Sequence, residues 1–387
     1  MPESPASTRI PSAPPADPSV SIRPVPRRNA AWVQENSMKP LATDADAATL
    51  LDTLGRPLRD LRISVMDRCN FRCPYCMPES KYGEHFRFLG NDERLSYAEI
   101  YRIARLAAKL GVRKLRITGG EPLLRPDLAE LIGQLRSIPG IADIALTTNG
   151  VLLPRQAERL KQAGLDRVTI SLDSLDPTVF ARMSGGKGDV KDVLAGISAA
   201  EAADFGGGIK INMVVQRGVN EADVLAMAEH FRGSGHVVRF IEFMDVGNRN
   251  AWQASGVVPS AELVRRIDGR WPLQAVESMD RSAVATRWRY QDGAGEIGFI
   301  SSVSAPFCGG CTRARLSSDG KLYTCLFAQT GMDLRQPIRQ QASDLELLQL
   351  IGGRWRNRGD RYSEVRGLQL QESAGPTRKI EMHYIGG

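Results

Sequence analysis

The chain has 387 residues, 42% hydrophobic and 25% charged, enough apolar material for one large domain or two moderate ones. It contains no run of about 18 apolar residues and no apolar segment of the secretory-signal kind near its start, so a membrane partner is not expected and the cytoplasm is the expected compartment. The formal net charge of +7 favours anionic ligands such as nucleotide phosphates without demanding a nucleic acid.

The first 28 residues carry eight prolines among Ser, Ala and Arg. Such a stretch cannot supply a core, and residues 1–45 are expected to form a disordered extension. Its prolines argue against the amphipathic helix of a transit peptide. From residue 59 short β-rich runs alternate with amphipathic stretches, the pattern of repeated βα units. Strands are predicted at Leu61–Met66, Lys114–Thr118, Asp143–Thr147, Arg167–Leu172, Ile209–Val215 and Val237–Phe243. A helix should start at Ser96, where Glu99 completes a capping box, and others near 127–137, 154–163, 190–204 and 221–232. Six units fall short of the eight that close a barrel, so the fold class expected is α/β, an incomplete (β/α)6 barrel over 46–245. After about residue 245 the alternation stops. Shorter strands (Ala283–Tyr290, Ile297–Ser301, Ala314–Cys325) and a helix near Ser343–Gly352 suggest that 246–387 is an α+β region closing the open side.

Chemistry should reside in sulfur. The four histidines, His85, His230, His236 and His383, are scattered, whereas the six cysteines form two groups of three. Cys69, Cys73 and Cys76 follow the first strand at C-x3-C-x2-C spacing, where ligands of parallel barrels collect. Cys308, Cys311 and Cys325 form C-x2-C-x13-C. Three thiolates can hold a 4Fe-4S cube and leave one iron open, whereas an electron carrier normally uses four. The plainer alternatives are a zinc site lacking a fourth ligand, or unrelated buried cysteines; chance placement of the first triplet is on the order of two in ten thousand.

Other residues stand out less sharply. Gly119-Gly120-Glu121-Pro122 follows the second strand, where glycines would let the backbone approach a ligand. Ser171 ends the fourth strand, and Met244 reads as core when taken alone. Arg62, Arg116 and Lys210 fall on strands, and Arg313 and Arg315 flank the second triplet. Inward-facing charges need a partner, either an anion or an acidic side chain.

The C-x3-C-x-Tyr75-Cys76 loop resembles the hallmark of the radical S-adenosylmethionine superfamily. The resemblance implies that the sulfonium cofactor binds the open iron and is split to a 5′-deoxyadenosyl radical. With the second triplet, Arg-Ile-Thr-Gly-Gly-Glu-Pro, Thr-Thr-Asn-Gly, Cys-Thr-Arg-Ala-Arg and the terminal Tyr-Ile-Gly-Gly, residues 50–387 closely resemble the GTP 3′,8-cyclase family, which begins molybdenum cofactor synthesis. This second resemblance implies two 4Fe-4S clusters on the six cysteines. Tyr75, Gly120, Ser171 and Met244 would contact S-adenosylmethionine. Arg62, Arg116, Thr147, Lys210, Arg313, Ala314 and Arg315 would contact GTP, and Gly386 with Gly387 would enter the active site. The implied reaction abstracts the ribose 3′ hydrogen, joins that carbon to guanine C8 and reduces the resulting purine radical, and its first bond-making step needs no acid–base pair. The resemblance further implies an electron donor such as flavodoxin or ferredoxin, a downstream cyclic pyranopterin monophosphate synthase, and a homodimer. The competing readings are a radical peptide-maturing enzyme, which would carry more C-terminal cysteines, and a zinc-binding nucleic-acid protein, which would show aromatic-basic interleaving.

Overall fold

The computed structural model describes residues 50–206, 208–278, 280, 282–366 and 379–386; the expected extension over 1–45, and Gly387, lie outside them. Six strands, β1 (Asp60–Ser64), β2 (Lys114–Thr118), β3 (Asp143–Thr148), β4 (Arg167–Ser171), β5 (Ile209–Val215) and β6 (Val237–Glu242), pair in chain order, each parallel to the next. Parallel neighbours need long crossovers. Here these contain α1 (Tyr97–Lys109), α2 (Leu128–Arg136), α3 (Ala157–Gln162), α4 (Pro177–Ser184), α5 (Val190–Ala202) and α6 (Val224–Phe231).

The two-residue period of the strands divides the molecule. Leu61, Ile63, Leu115, Ile117, Ile144, Leu146, Ile211 and Phe240 are buried in a core shared with the helices, each contributing about 1.5–3 kcal/mol of burial. On the opposite face, Arg62, Arg116, Thr147, Ser171, Asn212 and Arg239 line a cavity. The capping box predicted for α1 is present: the Glu99 amide donates to Ser96 Oγ at 3.2 Å and the Ser96 amide to Glu99 Oε2 at 2.7 Å. Sequence reading missed α4, whose start is set by Asp176 accepting from the Thr178 and Val179 amides, with Pro177 in the first turn. Its eight residues bury Phe180, Met183 and Ser184, too short a stripe to register as a periodicity.

After β6 come α7 (Ser260–Asp268), β7 (Leu273–Val276), β8 (Thr286–Tyr290), β9 (Glu296–Ile300), β10 (Arg313–Leu316), β11 (Lys321–Tyr323), β12 (Met332–Asp333), α8 (Arg335–Arg339), α9 (Asp344–Arg356) and α10 (Met382–Ile385). The expected single strand from Ala314 to Cys325 is in fact the antiparallel hairpin β10–β11, turning at 317–320, and the strand expected from Ala283 begins at Thr286. Rather than lying apart, the C-terminal strands extend the sheet at both ends: β9 runs parallel beside β6 and β10 parallel beside β1. The result is one open sheet of twelve strands in the order β12-β11-β10-β1-β2-β3-β4-β5-β6-β9-β8-β7. No described helix is long and apolar enough to cross a membrane.

Candidate active site

The first cysteine loop leaves β1 and is folded by its own backbone: the Cys76 and Met77 amides donate to the Cys73 carbonyl at 3.0 and 2.8 Å. Phe71 anchors it edge-on against Phe180 of α4, ring centroids 5.9 Å apart. The Gly119-Gly120 pair has a duty beyond the expected one. A Cβ on Gly120 would stand 2.2 Å from the Arg68 carbonyl oxygen, and one on Gly119 would stand 2.3 Å from that of Met66. The glycines therefore clear room first for the backbone leading into Cys69, to which the Gly120 and Glu121 amides donate at 2.7 and 2.8 Å. Gly120 still borders the cavity.

The hairpin explains the spacing of the second triplet. Cys308 and Cys311 share a tight turn, with the Cys311 amide donating to the Cys308 carbonyl at 3.1 Å. The β10–β11 register pairs Arg315 with Tyr323, and continuing it brings Cys325 level with Arg313, beside Cys311. All six cysteines line the same cavity, of about 320 Å³. Among the described residues no three His, Cys, Asp or Glu side chains are gathered tightly enough to hold a single metal ion.

The two triplets sit in opposite fields. Burial, then Glu121, pushes the Cys69 thiol up to about 12, and burial raises Cys73 and Cys76 as well. Around the second triplet burial raises Cys325 to about 11, whereas Arg313 and Arg358 overcome burial at Cys311 and bring it down to about 7. Buried thiols of this kind hold their protons unless a metal cation displaces them, and the sulfur-only donor sets suit iron-sulfur clusters.

Cations crowd the wall between the triplets. The strand registers align Arg315, Arg62 and Arg116 side by side on β10, β1 and β2, with the small Ala145 next on β3. Arg239 of β6 joins them, its Nε donating to Asn212 Oδ1 at 2.9 Å, and Arg116 donates to Thr147 Oγ1 at 3.1 Å. Among the described residues none of Arg62, Arg116, Lys210, Arg239, Arg313 and Arg315 forms a salt bridge. Burial, then like-charged neighbours, pushes Arg62 and Lys210 well down, Arg116 and Arg315 to about 10 and Arg239 to about 9. Guanidinium groups stay protonated in proteins, so the mutual repulsion persists until an anion enters.

Most of the expected contacts converge here. Tyr75, Ser171, Met244, Thr147, Arg313 and Arg315 all border the cavity, and Met244 is half-buried rather than core. Lys210 does not line the cavity; it lies one strand over from Thr169 in register. Ala314 is part of the hydrophobic core, which leaves only its backbone for a ligand. Sequence reading missed Arg239, Asn212 and Asp173, although the polar positions of Val-Val-Arg-Phe-Ile-Glu and Ile-Lys-Ile-Asn mark two of them. Asp173 accepts the Tyr75 hydroxyl at 2.7 Å, and burial raises its carboxyl to about 6. Glu121, raised by burial to about 7, accepts from Thr148 Oγ1 at 2.7 Å and from the Asn149 amide at 2.8 Å.

Of the C-terminal residues, Met382 and His383 line the same cavity, and their neighbours are tied down around it. Lys379 Nζ pairs with Asp245 at 2.7 Å, the Asn248 amide donates to Glu381 at 3.0 Å, and Arg315 donates to the Gly386 carbonyl. Gly386 has φ +76°, and a Cβ there would stand 2.7 Å from Thr118 Cγ2.

Three cysteines on the loop after the first strand, against a Gly-Gly-Glu-Pro loop after the second, define a radical enzyme class. The Radical SAM superfamily model matches residues 63–231, and a second model, Molybdenum Cofactor Synthesis C, matches residues 236–364. In fold the chain is similar to the crystal structure of Streptococcus suis SuiB bound to precursor peptide SuiA, with TM-score 0.55, 16% identity, and coverage of 91% of this chain and 85% of that one. More specifically, the chain belongs to the GTP 3′,8-cyclase family. It is 53% identical over 340 residues to the GTP 3′,8-cyclase of Xanthomonas axonopodis pv. citri, spanning 88% of this chain and 99% of the relative. The enzyme of Acidothermus cellulolyticus is 50% identical over 357 residues, spanning 87% and 98%.

Proposed function

We propose that the chain carries out the reaction of its relatives, converting GTP and S-adenosylmethionine to 3′,8-cyclo-7,8-dihydro-GTP, 5′-deoxyadenosine and methionine, the first step of molybdenum cofactor biosynthesis. The observation that carries this reading is a cavity bordered by both sulfur triplets and by a row of arginines, half-buried or buried, that form no salt bridge among the described residues.

Cys69, Cys73 and Cys76 would hold one 4Fe-4S cluster, and Cys308, Cys311 and Cys325 the other. When bound, the first cluster and S-adenosylmethionine supply the radical that takes the ribose hydrogen. The protein's own residues bind and orient. Gly120, Tyr75, Ser171 and Met244 surround S-adenosylmethionine, whose sulfonium suits the end of the cavity bearing Glu121 and Asp173. Arg62, Arg116, Arg313 and Arg315, with Arg239, receive the triphosphate through forked, charge-assisted hydrogen bonds, the Ala314 backbone and Thr147 add neutral contacts, and Lys210, set back from the cavity, adds only its positive charge. The Gly-Gly tail would enter the remaining space, as in the family, and fixing two reactants in one cavity supplies the entropic part of the rate.

In finer terms, residues 46–245 form the partial (β/α)6 barrel, and 246–387 cover its open side while bringing the second triplet and the tail. The protein would work in the cytoplasm as a homodimer, take electrons from a flavodoxin or ferredoxin, and hand its product to a cyclic pyranopterin monophosphate synthase. Anaerobic incubation of the reconstituted protein with GTP, S-adenosylmethionine and a reductant, followed by mass analysis, tests the reading. GTP-dependent 5′-deoxyadenosine together with an isomer of GTP is expected; 5′-deoxyadenosine release indifferent to GTP, with no isomer, would reject it.

A further inference from the structure

A buried charge network behind the second triplet has no part in the binding roles above. Arg56 Nε meets Asp52 Oδ2 at 2.6 Å, and Arg358 Nη1 meets the same oxygen at 3.6 Å. The two arginine side chains are each 2% exposed and that of Asp52 is 0% exposed. The guanidiniums are spent on the cysteine backbone: Arg56 Nη1 donates to the Cys308 carbonyl at 2.9 Å, and Arg358 Nη1 donates to that of Cys311 at 2.7 Å. Trp355 braces both, with Arg358 4.5 Å over its ring and its Nε1 donating to the Arg56 carbonyl at 3.0 Å. Among the described residues the buried Arg56 Nη2 meets no partner, and the second carboxylate, Asp360, is 32% exposed and 3.4 Å from Arg358.

The first triplet has the opposite surroundings. Glu121 and Asp173 border it, and Glu121 reaches Cys69 through Asn149, whose amide Nδ2 lies 3.9 Å from the Cys69 sulfur. Arg72 does donate to the Cys69 carbonyl at 2.7 Å, but Glu79 offsets it at 3.1 Å. Buried ion networks contribute little net stability, so their placement on ligand carbonyls calls for another explanation. Reducing a cluster adds negative charge, which fixed positive charge favours and fixed negative charge opposes.

We infer that Asp52 fixes Arg56 and Arg358 against the Cys308 and Cys311 carbonyls, that these two arginines position the second cluster, and that with Arg313 and Arg315 they hold its reduction potential above that of the cluster at Cys69, Cys73 and Cys76. This rests on the assignment of the two triplets as cluster sites. The test uses the full chain and two variants in which one triplet is replaced by alanines, each titrated anaerobically without GTP or S-adenosylmethionine and followed by electron paramagnetic resonance, with iron and sulfide content measured in parallel. The C-terminal cluster is expected to reduce at the higher midpoint. Arg358→Gln is expected to lower that midpoint and leave the N-terminal one in place. Coincident or reversed midpoints in the unmodified chain overturn the inference, as does an unchanged midpoint in a loaded Arg358→Gln protein. Should Arg358→Gln lose its cluster, Arg358→Lys decides: a retained midpoint supports the charge argument and a lowered one overturns it. Single-triplet variants that bind no iron would sink the triplet assignment itself, and the inference with it.

Discussion

Arg62, Arg116 and Arg315 stand in one register row on adjacent parallel strands, a placement that repels until an anion arrives. Replacing a half-buried charge that has no salt-bridge partner by an apolar side chain of similar length relieves that repulsion. Arg62→Met is therefore expected to raise the melting temperature of the apo-protein while weakening GTP binding on the order of tenfold to a hundredfold, the loss of one charge-assisted contact of about 1.5–3 kcal/mol. Scanning fluorimetry and equilibrium binding would check the pair of effects, and a lower melting temperature with unchanged affinity would contradict both. Glu121 gives a pH signature. Its carboxyl lies near 7 in the folded chain, against 4.5 for the free group, because burial outweighs its hydrogen bonds. Between those values the folded chain keeps a proton that the unfolded chain has lost. The contribution of Glu121 to apo-protein stability is then fully present below pH 4.5 and is lost as pH rises through 7, by at most about 3 kcal/mol. Glu121→Gln should flatten that part of the curve, and an unaltered pH dependence of melting would refute the role of burial here.

The six parallel strands β1–β6 were legible because each satisfies two demands at once. Lys114–Thr118 and Ile209–Val215 fall where alternation puts them, their apolar positions in the core and their polar ones toward the cavity or its margin. Short elements were not legible: α4 and β7 present too few apolar positions, and the β10–β11 hairpin turns within a run that reads as one strand. The site divides the same way. Cysteine spacing marked the ligands, but the duty of Gly119 and Gly120 against the cysteine loop depends on a neighbouring backbone that no local pattern reveals. The tail shows what a missing side chain permits. At Gly386 an added methyl would meet both the positive φ and the Thr118 side chain, with Cγ2 at 2.7 Å and Oγ1 at 3.0 Å. Gly386→Ala is expected to lower turnover at least tenfold while GTP binding persists, since only the tail must shift. Adding Thr118→Ser removes one of the two obstacles and should restore part of the turnover. Full recovery would show that φ imposes no penalty, and none would show that Thr118 is not the obstacle.

At the scale of the whole molecule, sequence reading placed a boundary near residue 245, and the sheet runs straight across it. Pairing between β1 and β10 joins segments some 250 residues apart, far beyond any local pattern, which is why the C-terminal region reads as a separate cover. The packing confirms that the core is shared: Phe240 of β6 stacks on Phe299 of β9 at 5.8 Å, and Leu316, Leu322 and Trp355 belong to the same buried cluster as Leu61 and Ile63. A chain ending at residue 245 would therefore expose two long parallel edges, on β1 and on β6, together with the apolar faces that the later strands cover. Parallel edges left open in this way recruit other chains. In the full chain the outermost strands are the two-residue β12 and the four-residue β7, short and partly polar, which limits such pairing. Residues 50–245 expressed alone are expected to aggregate, eluting in the void volume on size exclusion and melting without a cooperative transition, whereas the full chain elutes as a discrete species. A monodisperse fragment with a sharp melt would mean that the six parallel strands are stable by themselves, and that the C-terminal strands serve the second triplet without completing the core.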